Sequence, residues 1–251
     1  MKPKARQAGI AEAIGQEGQM SVEALADRFG VSAETIRRDL AQLAEGGLVQ
    51  KVHGGAKRLR LLSEGSFQER MTQNAAAKRI IAEKLLELVE PGDTLFIDTG
   101  STTVIAADVL APVGGFTVIT NSLRIAQIFA RADRGNRVFL LGGGFNSGND
   151  QTVGPVALAQ IAAFQADHAL LTVAGFDVLA GATDADFDES QVARAMIENS
   201  DQVILLVDGS KIGRKAAFRV CPARRVDLLV TEDTPDPALQ ARLRAAEVAW
   251  R

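Results

Sequence analysis

Apolar residues in the first sixty positions recur at helical spacing in three short runs. The first extends from Arg6 to Ile14, and Gly15 and Gly18 weaken and then end it. Ser21 is a natural N-cap for the second, where Val22, Leu25, Ala26 and Phe29 share one side and Gly30 stops the helix. Ser32 caps the third, which turns Ile36, Leu40 and Leu43 inward and Glu34, Thr35, Arg37, Arg38, Ala41 and Gln42 outward. Two helices joined by a tight glycine-containing turn, with small Ala26 at their approach, meet the requirements of a helix-turn-helix. After Gly46-Gly47, the alternation of Leu48–Val52 running into His53-Gly54-Gly55-Ala56 predicts a short hairpin, a wing.

From Ala76 the pattern changes to short apolar runs separated by helical stretches. The runs predict strands at Thr94–Ile97, Thr117–Ile119, Val138–Leu141, Ala169–Val173, Val203–Val207 and Leu228–Thr231. Helices are expected near 76–90, 102–110, 123–132, 155–164, 189–199 and 237–246. Continuous apolar strands alternating with helices imply a mainly parallel sheet covered on both faces. Residues 58–75 have mixed character and are expected to be a linker, with a short helix around Phe67–Met71. The fold class is therefore an α/β sensor domain (76–251) preceded by a small α+β winged helix-turn-helix domain (1–57).

Composition narrows the chemistry. Hydrophobic residues make up 47% and charged residues 24% of 251, the profile of a folded globular chain. One cysteine, Cys221, and two histidines, His53 and His168, are too few for an internal disulfide, a Cys/His zinc site or a histidine triad. No apolar stretch suggests secretion or a membrane span, and a cytoplasmic protein without cofactor, metal or membrane partner is expected. The net charge of −3 conceals an asymmetry. Residues 1–60 carry ten Lys/Arg against seven Asp/Glu, whereas the rest carries 18 against 24. A basic head on an acidic body fits a polyanion-binding module attached to something else.

In the head, Ser32, Thr35, Arg37 and Arg38 stand near the start of the third helix, where a recognition helix meets bases and phosphates. Lys51, His53 and Gly54 in the wing are candidate backbone contacts. In the body, ligands of open α/β sheets bind outside the carboxyl ends of the strands. Those ends carry Asp98, Gly100, Ser101, Thr102 and Thr103, then Asn121 and Ser122, then Gly143, and finally Lys211. Hydroxyls, glycines and amides at helix N-termini suit a phosphate, and Lys211 adds a point charge. Asp177 and Asp184 are candidates for hydroxyl recognition, with Glu189 and Arg194 ranked below the strand-end residues.

The stretch VSAETIRRDLAQLAEGGLVQKVHGGA resembles the winged helix-turn-helix of DeoR-type bacterial transcription regulators. The segments DTGSTT at 98–103, TNS at 120–122, GGG at 142–144, AGFD at 174–177 and VDGSK at 207–211 resemble the sensor domain of the same family. That domain is similar in fold to ribose-5-phosphate isomerase. The resemblance implies a DNA-binding repressor of a carbohydrate or polyol catabolic operon, a homodimer or homotetramer on double-stranded operator DNA, controlled by a phosphorylated sugar or polyol. The alternative is a sugar-phosphate isomerase with an accessory DNA-binding head. Many relatives and the isomerase have an acidic residue in the segment 172–175, where this chain has Ala174. The base needed for proton transfer next to a carbonyl is then missing, and a non-enzymatic protein is expected. Ala193 stands where many relatives have lysine, so the resemblance does not by itself carry over the identity of their ligand.

Overall fold

The three helical runs of the head close on one apolar centre. The computed structural model describes residues 3–45, 49–52, 54–58 and 65–251, and the chain divides into two units, 1–63 and 64–251. In the first unit, α1 (Pro3–Glu17), α2 (Val22–Phe29) and α3 (Ala33–Glu45) bury Ile10, Ile14, Leu25, Ile36, Leu40 and Leu43 in one cluster. α1 is longer at both ends than apolar spacing predicts. A single Gly15 does not break a helix that is packed on one side, and the stop falls at Gly18, in the left-handed region. The wing hairpin forms from β2 (Val49–Val52) and β3 (Gly55–Arg58). A third strand, β1 (Gln19–Ser21), pairs with β3 and was not expected, because three residues are too few to display a period of two. His53 and residues 46–48 lie outside the described residues.

The second unit begins earlier than the expected domain. α4 (Phe67–Thr72) starts with a capping box, in which Ser66 accepts from the Glu69 amide and Glu69 accepts from the Ser66 amide. Phe67 is buried in the core of this unit, so residues 66–75 belong to the sensor fold rather than to a linker. α5 (Ala75–Lys84) follows, and then the strands and helices alternate: β4 (Thr94–Ile97), α6 (Ser101–Leu110), β5 (Thr117–Thr120), α7 (Leu123–Arg131) and β6 (Arg137–Leu140). A hairpin of β7 (Gly144–Asn146) and β8 (Gln151–Val153) leads to α8 (Pro155–Ile161) and β9 (Ala166–Leu171). β10 (Gly175–Asp177) and β11 (Gly181–Asp184) precede α9 (Phe187–Glu198) and β12 (Ser200–Leu206). The chain ends with β13 (Phe218–Cys221), β14 (Leu228–Val230), α10 (Pro237–Ala245) and β15 (Ala249–Trp250).

Seven strands form one sheet in the order β15-β14-β12-β9-β4-β5-β6, and every pairing is parallel. Side chains alternate between its faces. Phe96, Ile119, Ala169, Leu171 and Leu205 join the cluster containing α8, α9 and α10 residues, whereas Leu95, Ile97, Val118, Leu170, Ile204 and Leu206 join that of α4, α5, α6 and α7. Burial on both faces is why these strands read as continuous apolar runs. β10, β11 and β13 form a separate antiparallel sheet. Strand order changes direction at the β4–β9 pair, since β5 and β6 lie to one side and β12, β14 and β15 to the other. That switch point is where a ligand crevice is expected in a doubly wound sheet.

Candidate functional site

In the first unit, Ser32 Oγ accepts from the Thr35 amide at 3.2 Å and lies 2.9 Å from Thr35 Oγ1, which caps α3. Arg37 and Arg38 are exposed, with Arg37 3.4 Å from Glu34, while Lys51 and Gly54 are exposed on the wing. α3 also buries a charge that apolar spacing did not single out. Asp39 accepts from Arg6 Nε at 2.6 Å, Arg6 Nη2 at 3.2 Å and Gln7 Nε2 at 3.0 Å. Burial pushes the Asp39 carboxyl up, but these donors and the Arg6 and Arg38 charges outweigh it and hold the group below its ordinary value. This pair fixes α1 against α3 and leaves the arginine face outward.

In the second unit, a narrow polar cleft opens at the switch point, lined by Asp98, Thr99, Asn121, Gln151, Asp184, Glu189 and Val192. Asp98 follows β4, and both its oxygens accept from the Thr172 amide beyond β9. Burial pushes this carboxyl well above its ordinary value; the Thr172 amide and the Lys211 charge pull it back, while Asp184 and Glu189 push it further. A polar chain crosses the cleft. Thr99 Oγ1 donates to Asn121 Oδ1 at 3.2 Å, Asn121 Nδ2 to Gln151 Oε1 at 3.2 Å, and Gln151 Nε2 to Glu189 Oε1 at 2.6 Å. Asn149 Nδ2 donates to the same Glu189 oxygen, and Arg70 Nη2 donates to Asn149 Oδ1 at 2.6 Å. Burial raises Glu189 as well, against the pull of Gln151, Arg70 and Asn149.

Next to the cleft, α6 opens with buried Ser101, Thr102 and Thr103. Gly100 precedes them because the turn passes against β9, where a Cβ would stand 2.1 Å from Thr172 Cγ2. The first turn of α6 holds a residue that the sequence reading missed. Lys78 on α5 is 3% exposed, and its Nζ donates to Ser101 Oγ at 3.0 Å, to the Gln73 carbonyl at 2.7 Å and to the Arg70 carbonyl. In AAAKRIIAEK it reads as an ordinary helix-surface lysine; only the packing of α4 and α6 encloses it.

Other expected residues stand elsewhere. Ser122 caps α7 through the Ile125 amide. Gly143, at φ +143°, lets the chain turn against β8, where a Cβ would meet the Val153 carbonyl at 2.5 Å, and it does not line the cleft. Lys211 Nζ donates to the Val173 carbonyl at 2.6 Å, and its charge acts on Asp98. Asp177 accepts from the Leu179 and Ala180 amides and lies 3.6 Å from both Lys215 and Arg242, which makes it a turn anchor. Asp184, named beside it from sequence, and Glu189, ranked lower, line the cleft. Arg194 donates to the Arg219 carbonyl and to Gln191. Among the described residues, no three His, Cys, Asp or Glu side chains are grouped as a metal ion would need, and no helix is long and apolar enough to cross a membrane.

Known proteins carry the same two-part arrangement. The model of the DeoR-like helix-turn-helix domain matches residues 6–60, and that of the DeoR C-terminal sensor domain matches residues 73–233. The glycerol-3-phosphate regulon repressor of Escherichia coli is 36% identical over 238 residues, which is 94% of this chain and 93% of that one. Among solved structures, ribose 5-phosphate isomerase A from Neisseria gonorrhoeae is 18% identical over 55% of this chain and 53% of that one, at a TM-score of 0.39. The tetrameric eIF2B-beta2-delta2 complex from C. thermophilum gives 15% identity over 98% of this chain and 88% of that one, at a TM-score of 0.52, a likeness of fold alone. With both domains matched in order, and with a curated repressor similar along nearly its whole length, the chain belongs to the DeoR family of DNA-binding transcriptional regulators.

Proposed function

We propose that this protein represses an operon of carbohydrate or polyol catabolism and that a phosphorylated polyol or sugar, bound in the switch-point cleft, controls it. The observation that carries this reading is the Lys78 ammonium, buried against Ser101 at the first turn of α6. A full positive charge and the positive end of a helix dipole then meet at one spot, an arrangement suited to a phosphate. The cleft beside it offers Asp98, Asp184, Glu189, Asn121 and Gln151, which accept from and donate to hydroxyls. A second carboxylate on the ligand would meet these acidic groups and be repelled. The first ligand to try is glycerol 3-phosphate, because the E. coli relative is named for its regulon.

The head reads operator DNA through Arg37 and Arg38 in the major groove, with Ser32, Thr35, Lys51, His53 and Gly54 on the backbone. A two-fold dimer sets recognition helices on half-sites about 34–36 Å apart or a multiple of that. The protein has no isomerase activity in this reading, since Ala174 supplies no base at the expected position. Thermal-shift screening against phosphorylated three- to six-carbon metabolites, followed by calorimetry, tests the effector assignment. Ser101→Val with Thr102→Leu should weaken ligand binding and leave DNA binding intact. Equal affinity for a ligand and its dephosphorylated form would overturn the phosphate site, and turnover of pentose or hexose phosphates lost on Asp98→Asn would overturn the non-enzymatic reading.

A further inference from the structure

The helix that follows the connector from the DNA-binding unit is fastened to the effector cleft at several points. α4 has six residues, too few to be stable alone, so its place is held from outside. Phe67 anchors its start in the core, beneath the Arg70 and Arg124 guanidinium groups at 5.5 and 4.6 Å from the ring. Carbonyls at its end need partners from outside the helix, and Lys78 supplies them at Arg70 and Gln73. Arg70 Nη2 donates to Asn149, which donates in turn to Glu189 of the cleft. Asn74, just beyond the helix at φ +54°, donates to Asp208 at 3.0 Å and to Ser210 Oγ at 3.1 Å.

We propose that α4 is a latch read by the effector: the ammonium that fastens its last turn is the one that a phosphate at Ser101 engages, so ligand binding loosens the helix leading to the DNA-binding unit. This rests on the phosphate assignment above. The Arg70 carbonyl, the Gln73 carbonyl and Ser101 Oγ are among the partners of the Lys78 ammonium. A phosphate oxygen beside Ser101 offers an ionic partner where a carbonyl offers a neutral one, and the charged pair is the stronger. Ser101 Oγ has a proton of its own to donate to the phosphate while still accepting from Nζ, so the bond given up in this proposal is one of the two to carbonyls. The hydroxyl end of the ligand acts on a second fastening, because Glu189 shares Asn149 with Arg70. Both ends of one small molecule thus bear on the same short helix, and the ligand shifts the equilibrium only by its differential affinity for the fastened and loosened forms.

Hydrogen–deuterium exchange on the full chain tests this, with inorganic phosphate and glycerol 3-phosphate as probes. The 67–73 amides should exchange roughly 5–150-fold faster, the span of ordinary allosteric couplings, over the same titration that protects the 101–104 amides. Protection at 101–104 with 67–73 unchanged or slowed would overturn the latch and leave the phosphate site standing. No protection at 101–104 would overturn the phosphate assignment and the latch with it. Asn74→Gly keeps the left-handed turn while removing both side-chain bonds, and Arg70→Met keeps a stem over Phe67 while removing the tie to Asn149. In the double variant, α4 should exchange fast without ligand and respond little to it. A ligand response equal to that of the parent chain would overturn the latch, and Asn74→Gly alone carries the same test if the double variant does not fold.

Discussion

Both carboxylate oxygens of Asp98 accept from the Thr172 amide, each at 3.2 Å, which ties the end of β4 to the end of β9 where the sheet changes direction. A buried carboxylate beside Asp184 and Glu189 is costly to ionise. Local conflict of this kind is common at functional sites.

Asp98→Asn should therefore stabilise the sensor unit at neutral pH. The folded value of Asp98 lies well above the unfolded value of about 3.9. The native state binds this proton more tightly than the unfolded state, so the contribution is present at low pH and lost as pH rises through the folded value. Asparagine never ionises and still accepts from Thr172. A gain of roughly 0.5–2 kcal/mol is expected, together with weaker effector binding. Thermal unfolding from pH 4 to 8 checks it, and an unchanged or lower melting temperature at pH 7 would contradict it.

Gly100→Ala should destabilise the sensor unit by about 1–3 kcal/mol, because its Cβ would stand 2.1 Å from Thr172 Cγ2 in a packed interior. Adding Thr172→Ser removes that methyl and keeps the hydroxyl that donates to the Leu206 carbonyl. The pair should recover most of the loss. Denaturant titration of the four-member cycle would show additive effects if the two sites do not meet.

Arg37→Ala and Arg38→Ala should each cost roughly 1–3 kcal/mol of operator affinity while leaving effector binding unchanged. Their exposure beyond the α3 core makes a folding defect unexpected. Binding at several fixed salt concentrations separates a lost phosphate contact, which lowers the salt slope, from a lost base contact, which relaxes sequence preference. Unchanged affinity in both variants would remove α3 from the interface.

The DNA-binding unit should loosen in acid before its core does. Asp39 is held below its ordinary value by Arg6 and Gln7. Its contribution is fully present above the unfolded value of about 3.9 and is lost as pH falls through the lower, folded one. Asp39→Ala should speed exchange of the α1 and α3 amides at pH 7 and abolish the acid-dependent increase. An acid response that persists in Asp39→Ala would assign it to another carboxylate.

How much of this was written in the chain follows from the range of the interactions involved. Helix caps, glycine stops and apolar periods are local, so the helix-turn-helix, the six central strands and their helices are legible from Ser21, Gly30, Ser32 and runs such as Thr94–Ile97. That Asp98 and Asn121 stand at strand ends was legible for the same reason, since an open α/β sheet places its crevice at those ends. Short strands such as β1, β7 and β11 were not, because three or four residues carry no period and their pairing comes from distant partners.

The sequence also left open which polar residues meet. Lys78 on an ordinary-looking helix meets Ser101, and Gln151, in a hairpin read as a glycine turn, meets Glu189, ranked behind the strand-end residues, each across tens of residues. Neither residue type nor spacing distinguishes Asp177 from Asp184. Only the folding of β10 and β11 turns one toward Lys215 and Arg242 and the other into the cleft. Local chemistry determined the elements and the edge of the sheet where the cleft opens; burial, which exists only once α4, α5 and α6 are packed, decided which charges stand there.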